Sequence, residues 1–117
     1  MVQILLVDDD GTFLNGLKMF FDMKHISTIT ATTVSKAKEL LCSEKISLIC
    51  TDWDLPDGTG MDVLAYVRNT NIPVVFLTCH DEDSYQEQAI TQGTACYYIK
   101  GQVVYHALIA KIITLTT

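Results

Sequence analysis

The sequence predicts a three-layer α/β fold: a five-stranded parallel sheet in the order 2-1-3-4-5 with helices on both faces. Three observations carry this. Five short apolar, β-favouring runs alternate with five segments that read as helices. No repeat, linker or low-complexity stretch interrupts the alternation, and β-α alternation on that scale means right-handed crossovers and a parallel sheet. The length of 117 residues suits one such unit with a real core. A single domain over residues 1–117 is therefore expected, as a whole protein or as a fragment of a longer one.

The first strand is Val2-Gln3-Ile4-Leu5-Leu6-Val7, which runs straight into Asp8-Asp9-Asp10-Gly11. Apolar residues then recur at Phe13, Leu14, Leu17, Phe20 and Phe21. That is helical spacing, and Asp10 suits its N-cap. Ser27 to Ala31 is a short second strand, and Val34 to Cys42 a second helix with its charges on one side. The run from Ile46 to Thr51 reads as a buried third strand that delivers Asp52 to its carboxyl end. Leu55-Pro56-Asp57-Gly58-Thr59-Gly60 then reads as loop. A third helix is expected from about Met61 to Asn69, and a fourth strand over Pro73 to Thr78. Asp81 to Gln92 is helical but acidic and poorly apolar, and Gly93 suits its C-terminal cap. Ala95 to Ile99 is a fifth strand ending at Lys100, and the last helix runs from about Val103 to Leu115.

Composition excludes several classes of function. Hydrophobic residues make up 49% and charged residues 19%, a globular rather than disordered balance. The net charge of −6 argues against direct nucleic-acid binding by this domain. No apolar run is long enough to span a bilayer, so no membrane association is expected. Cys42, Cys50, Cys79 and Cys96 form no Cys-x-x-Cys pair, and no secretion signal opens the chain. Reduced, mostly buried thiols in a cytoplasmic protein are the simplest expectation. The three histidines are isolated in the sequence, so a zinc site is not expected.

Function points to the carboxyl edge of the sheet, where open α/β sheets bind ligands. Strand 1 ends at Asp8 and Asp9, strand 3 at Asp52, strand 4 at Thr78 and strand 5 at Lys100. In the expected strand order these side chains meet. Carboxylates a few ångströms apart repel by about 4 kcal/mol per pair at an intermediate dielectric, so the cluster needs a cation or protons. An all-oxygen acidic pocket suits Mg²⁺. Lys100 is the only Lys or Arg between Asn69 and Ala110, and it arrives at the same edge. Together these groups suit phosphoryl transfer: Asp52 as a carboxylate nucleophile forming an acyl phosphate, with Mg²⁺ and Lys100 neutralising the phosphoryl oxygens. Thr78 would hydrogen-bond one of those oxygens.

The ordered set Ile4-Leu5-Leu6-Val7-Asp8-Asp9-Asp10, Asp52-Trp53-Asp54-Leu55-Pro56-Asp57-Gly58-Thr59-Gly60, Phe76-Leu77-Thr78 and Gly93-x-x-x-Tyr97-Tyr98-Ile99-Lys100 resembles a response-regulator receiver domain of two-component signalling, of the chemotaxis-regulator type. The likeness covers essentially the whole chain. It implies a flavodoxin-like (βα)5 fold and a phosphoprotein in which Asp52 takes a phosphoryl group from a histidine kinase or histidine phosphotransfer protein. It implies Mg²⁺ held by Asp8, Asp9, Asp52 and the Asp54 backbone carbonyl. Thr78 and Tyr97 would be the switch pair. Such domains often catalyse their own phosphorylation and dephosphorylation, so a signalling phosphoacceptor rather than a conventional enzyme is expected. One departure stands out: the family usually follows its lysine with a cis proline, whereas Lys100 precedes Gly101-Gln102. A non-proline cis bond costs about 2.5–4 kcal/mol, so a trans or rearranged turn is expected.

The last helix is apolar nearly all round, with Gln102, His106 and Lys111 as its main polar relief. A helix of that kind is expected to cover a second surface. The fourth helix, fifth strand and fifth helix are the expected output face, contacting an effector domain or a second copy. Substitutions at Ile109 and Ile113 would probe it. Two rival functions remain open on the residues. One is a small phosphatase of the haloacid-dehalogenase type, with Asp52 as nucleophile and Asp54 as general acid. The other is a receiver used only as a phosphorylation-independent binding module.

Overall fold

The computed structural model describes residues 2–117. Five parallel strands form one sheet: β1 (Gln3–Val7), β2 (Ser27–Ala31), β3 (Leu48–Thr51), β4 (Val74–Thr78) and β5 (Cys96–Ile99). Their spatial order is β2-β1-β3-β4-β5, as the sequence predicts. The helices are α1 (Gly11–Met23), α2 (Val34–Ser43), α3 (Gly60–Tyr66), α4 (Asp83–Thr91) and α5 (Tyr105–Thr116).

Period-2 alternation along the central strands divides the core into two layers. Leu5, Val7, Ile49, Val74 and Phe76 face α2 and α3, with Val34, Ala37, Val63 and Leu64 packed against them. Ile4, Leu6, Leu48, Val75 and Leu77 face the other way, onto Leu14, Leu17 and Phe21 of α1 and Leu108, Ile109 and Ile112 of α5. The burial of Ile109 corrects one expectation: this residue belongs to the core, whereas Ile113 stands exposed on the same helix and Val104 at its N-cap. Because α5 is apolar on every side, its sequence periodicity does not choose between the faces.

Local chemistry sets the element ends. The Asp10 carboxylate accepts from the Phe13 N–H at 3.1 Å and caps α1. At α4, the Gly93 N–H donates to Ile90 and the Thr94 N–H to Ala89, both at 3.0 Å, a Schellman ending around a glycine at φ 101°. The third helix stops short of Asn69 because its last turn tightens to i−3 bonds at Val67 and Arg68, and the Thr70 hydroxyl caps the Val67 carbonyl at 2.7 Å. The last helix starts two residues later than expected, because Gln102 and Val103 both turn back to the Ile99 carbonyl. The segment after Asp52 is not plain loop. Asp54–Leu55 and Gly58–Thr59 pair as a two-residue antiparallel ribbon. All four cysteines are free but only Cys50 is buried; Cys42 and Cys79 are exposed on α2 and on the loop after β4. Among the described residues no peptide bond is cis, and no helix is long and apolar enough to cross a membrane.

Candidate functional site

Strand register builds the site. Val7 pairs with Thr51, so Asp8 and Asp52 follow the ends of adjacent strands side by side. The Asp52 N–H donates to the Val7 carbonyl at 2.8 Å and locks that alignment. Two strands further on, Thr78 pairs with Ile99, and the Lys100 N–H donates to the Thr78 carbonyl at 2.9 Å. Lys100 therefore leaves its strand toward the same edge.

The cluster closes around charge. Asp8 is 3% exposed and Asp52 9%, while Asp9 stands in solvent. Each of the three offers one carboxylate oxygen, and these oxygens all lie within 4.8 Å of one another. The Lys100 ammonium sits 2.6 Å from Asp8 Oδ2 and 3.0 Å from Asp52 Oδ2. Burial raises the Asp8 pKa, opposed by the Lys100 hydrogen bond and the Asp10 N–H. Burial alone would lower the Lys100 pKa, but its bonds to Asp8 and Asp52 outweigh that and raise it. The lysine is thus firmly cationic between two carboxylates.

Asp52 is held on both oxygens: Oδ1 accepts from the Trp53 N–H at 2.6 Å, and Oδ2 from Lys100. Its backbone carbonyl accepts from the buried Thr51 hydroxyl at 2.9 Å. Behind it, a Cβ on Gly60 would strike that same carbonyl and the Phe76 ring. The backbone approach that seats the acidic loop therefore requires glycine at 60.

Thr78 and Tyr97 meet through a third residue. The fully buried Thr78 hydroxyl accepts from the His80 N–H at 3.3 Å. The Tyr97 ring stacks on Phe76 with centroids 5.8 Å apart, and its hydroxyl donates to the His80 carbonyl at 2.8 Å. Burial, with acidic neighbours, pushes the Tyr97 phenol up to about 12. The phenol therefore stays protonated and able to donate at neutral pH.

His80 is the residue that sequence reasoning missed. Its Nε2 lies 2.6 Å from Asp54 Oδ2, and its ring stacks on Tyr85 of α4 at 4.2 Å. The available signal was positional: His80 lies two residues past the end of β4, and Asp54 three past the end of the neighbouring β3. The Asp54 side chain is 71% exposed and tied to that histidine, apart from the Asp8–Asp52–Lys100 contacts. Asp57 serves elsewhere. Its carboxylate caps α2 across the chain, accepting from Val34 at 2.7 Å and Ser35 at 2.9 Å, and those bonds lower its pKa.

The arrangement gathers three carboxylates and a lysine ammonium at one sheet edge. Comparison with known proteins identifies the family. Residues 4–112 match the response regulator receiver domain model. The response regulator protein PilR of Pseudomonas aeruginosa is 32% identical over 100 residues, covering 84% of this chain and 22% of that protein. The heme response regulator HssR of Staphylococcus aureus is 32% identical over 101 residues, covering 86% of this chain and 45% of HssR. The chain thus spans less than half the length of these curated relatives. A two-component response regulator from Clostridium difficile superposes with a TM-score of 0.90 at 29% identity, covering 98% of this chain and 95% of that one. With the family model spanning nearly the whole sequence, this chain belongs to the response regulator receiver domain family.

Proposed function

We propose that the chain is a phosphoacceptor switch in which Asp52 takes a phosphoryl group from a histidine kinase or histidine phosphotransfer protein. A carboxylate oxygen of Asp52 attacks the phosphorus of a phosphohistidine. The P–N bond breaks, the donor imidazole leaves, and an acyl phosphate forms on Asp52. The observation that carries this reading is Lys100 bridging Asp8 and Asp52, a cation already held where phosphoryl charge would develop.

Asp8, Asp9 and Asp52 fit Mg²⁺, because their close carboxylate oxygens form a hard, all-oxygen donor set. In this reading the Asp54 backbone carbonyl joins them. Bound Mg²⁺ would neutralise charge on the phosphoryl oxygens. Lys100 would turn from Asp52 to the phosphoryl group, and the Thr78 hydroxyl would donate to it. Thr78 would then leave His80, whose carbonyl holds Tyr97. This gives a route from acceptor to the α4-β5-α5 face. That face is proposed to contact an effector domain or a second copy, with α4 holding only Ala89 in the core. The chain acts here as a cytoplasmic signalling phosphoacceptor, not as a turnover enzyme. Asp54 engaged with His80 also suits this better than a general-acid role beside Asp52.

Incubation with acetyl phosphate, followed by intact mass, tests the reading. Uptake of one phosphoryl group with Mg²⁺, abolished by chelator and reversed by hydroxylamine, is expected. Uptake that is indifferent to chelation would contradict the metal assignment.

A further inference from the structure

Lys100 poses a problem of aim. It is followed by Gly101, around which a side chain would find no neighbour within 4 Å. Gly101 therefore contributes no side chain to hold the turn behind the lysine. A lysine stem is long and flexible, and ordering it costs rotamer entropy. The ammonium nevertheless reaches two carboxylates at short distance.

We infer that Phe13 is the positioning residue that aims Lys100. The ammonium lies 4.3 Å from the centroid of the Phe13 ring. A cation is attracted to a ring face, most strongly where water is excluded, and Phe13 is half-buried. With one side against the ring, the ammonium's remaining N–H bonds point at Asp8 and Asp52. Phe13 is itself held by the site. Asp8 Oδ1 accepts from the Asp10 N–H at 2.9 Å, and the Asp10 carboxylate accepts from the Phe13 N–H at 3.1 Å. The Phe13 ring meets Lys100, which returns to Asp8 at 2.6 Å. The circuit Asp8–Asp10–Phe13–Lys100 closes on itself. The N-cap of α1 thus fixes both the start of a helix and the direction of a charged side chain that arrives from β5, three strands along the sheet.

The kinetic part of this inference rests on Asp52 as phosphoacceptor; the positional part does not. Phe13→Leu keeps apolar bulk without a ring face, and Phe13→Tyr keeps the face. In the native chain the Lys100 side-chain methylene protons should resonate upfield under the ring current. That shift should persist in Phe13→Tyr and vanish in Phe13→Leu. Phosphoryl uptake from acetyl phosphate should slow about three- to tenfold in Phe13→Leu and recover in Phe13→Tyr, with the unfolding midpoint of all three chains alike. Native Lys100 resonances without an upfield shift would overturn the inference. So would Phe13→Leu taking up phosphoryl at the native rate, or Phe13→Tyr being as slow as Phe13→Leu. A native chain that takes up no phosphoryl at all would defeat the functional reading, while the resonances would still decide the placement of Lys100.

Discussion

His80 Nε2 lies 2.6 Å from Asp54 Oδ2, joining the loops that follow two adjacent strands. The same imidazole stacks on Tyr85, so the loop after β3, the β4–α4 loop and the first turns of α4 share one side chain. The N-cap position of α4, Glu82, makes no side-chain cap bond, and its carboxylate lies 3.8 Å from His80 Nδ1. Replacing His80 with Ala should release Asp54 and loosen α4. Amide exchange at Tyr85 to Gln88 should rise about tenfold, for a loss of about 1.4 kcal/mol of local stability. Exchange confined to native rates there would show that the stack restrains nothing.

Lys100 is expected to hold the acidic cluster together. Lys100→Met leaves Asp8 and Asp52 facing each other without a counter-charge, at a cost of about 2–4 kcal/mol near pH 7. Added Mg²⁺ should restore more stability to this variant than to the native chain, since the ion binds only the folded state. The sign of the pH dependence follows from the raised Lys100 pKa. Its stabilisation is complete below the unfolded value of about 10.4 and is lost as pH rises through the folded one. Asp8 has the same sign in a lower window: burial raises its folded pKa, so in the native chain its contribution is also lost as pH rises through that value. Denaturant midpoints across pH, with and without Mg²⁺, measure both.

Asp57 caps α2 from 23 residues away along the chain, through Val34, and through Ser35 beside it. Its folded pKa is lowered, first by the Ser35 N–H and then by Val34. The capping contribution is therefore present above the unfolded value of about 3.9 and lost as pH falls through the folded one. The Val34 and Ser35 amide resonances should titrate together, with a midpoint below 3.9 as an approximate reference. Asp57→Asn should abolish that shared titration.

The two faces of α5 should respond differently to charge. Ile109 is 2% exposed and Ile113 44%. Ile109→Glu buries a carboxylate without a partner and should unfold the domain or cost several kcal/mol, on the order of 3 or more. Ile113→Glu should leave the unfolding midpoint within about 0.5 kcal/mol of native. If Ile113 lies in the output surface, the same change weakens self-association or effector binding, read by sedimentation or by partner pull-down.

Much of this was legible because the chemistry lies at strand ends. Buried parallel strands read as unbroken apolar runs, so Val7, Thr51, Thr78 and Ile99 mark where Asp8, Asp52 and Lys100 begin. β-α alternation implied a parallel sheet, and the order 2-1-3-4-5 is the common solution for five strands. What stayed hidden depends on how loops meet. No local pattern links His80 to Asp54 or Asp57 to α2, because both contacts arise only after distant segments are brought together. The 54–59 ribbon was hidden by its Pro-Asp-Gly turn, which reads as loop whichever way its flanks pair. Nor does periodicity choose the buried side of a helix with apolar residues all round, and Ile109 was misplaced for that reason.

The most direct test of the central claim compares the native chain with Asp52→Asn by intact mass after incubation with Mg²⁺ and acetyl phosphate, with peptide mapping of the product. A single phosphoryl group on Asp52 of the native chain, absent from a folded Asp52→Asn variant, is the expected result. A native chain that stays unmodified, or a variant that still gains the group at another residue, would contradict the assignment of Asp52 as acceptor.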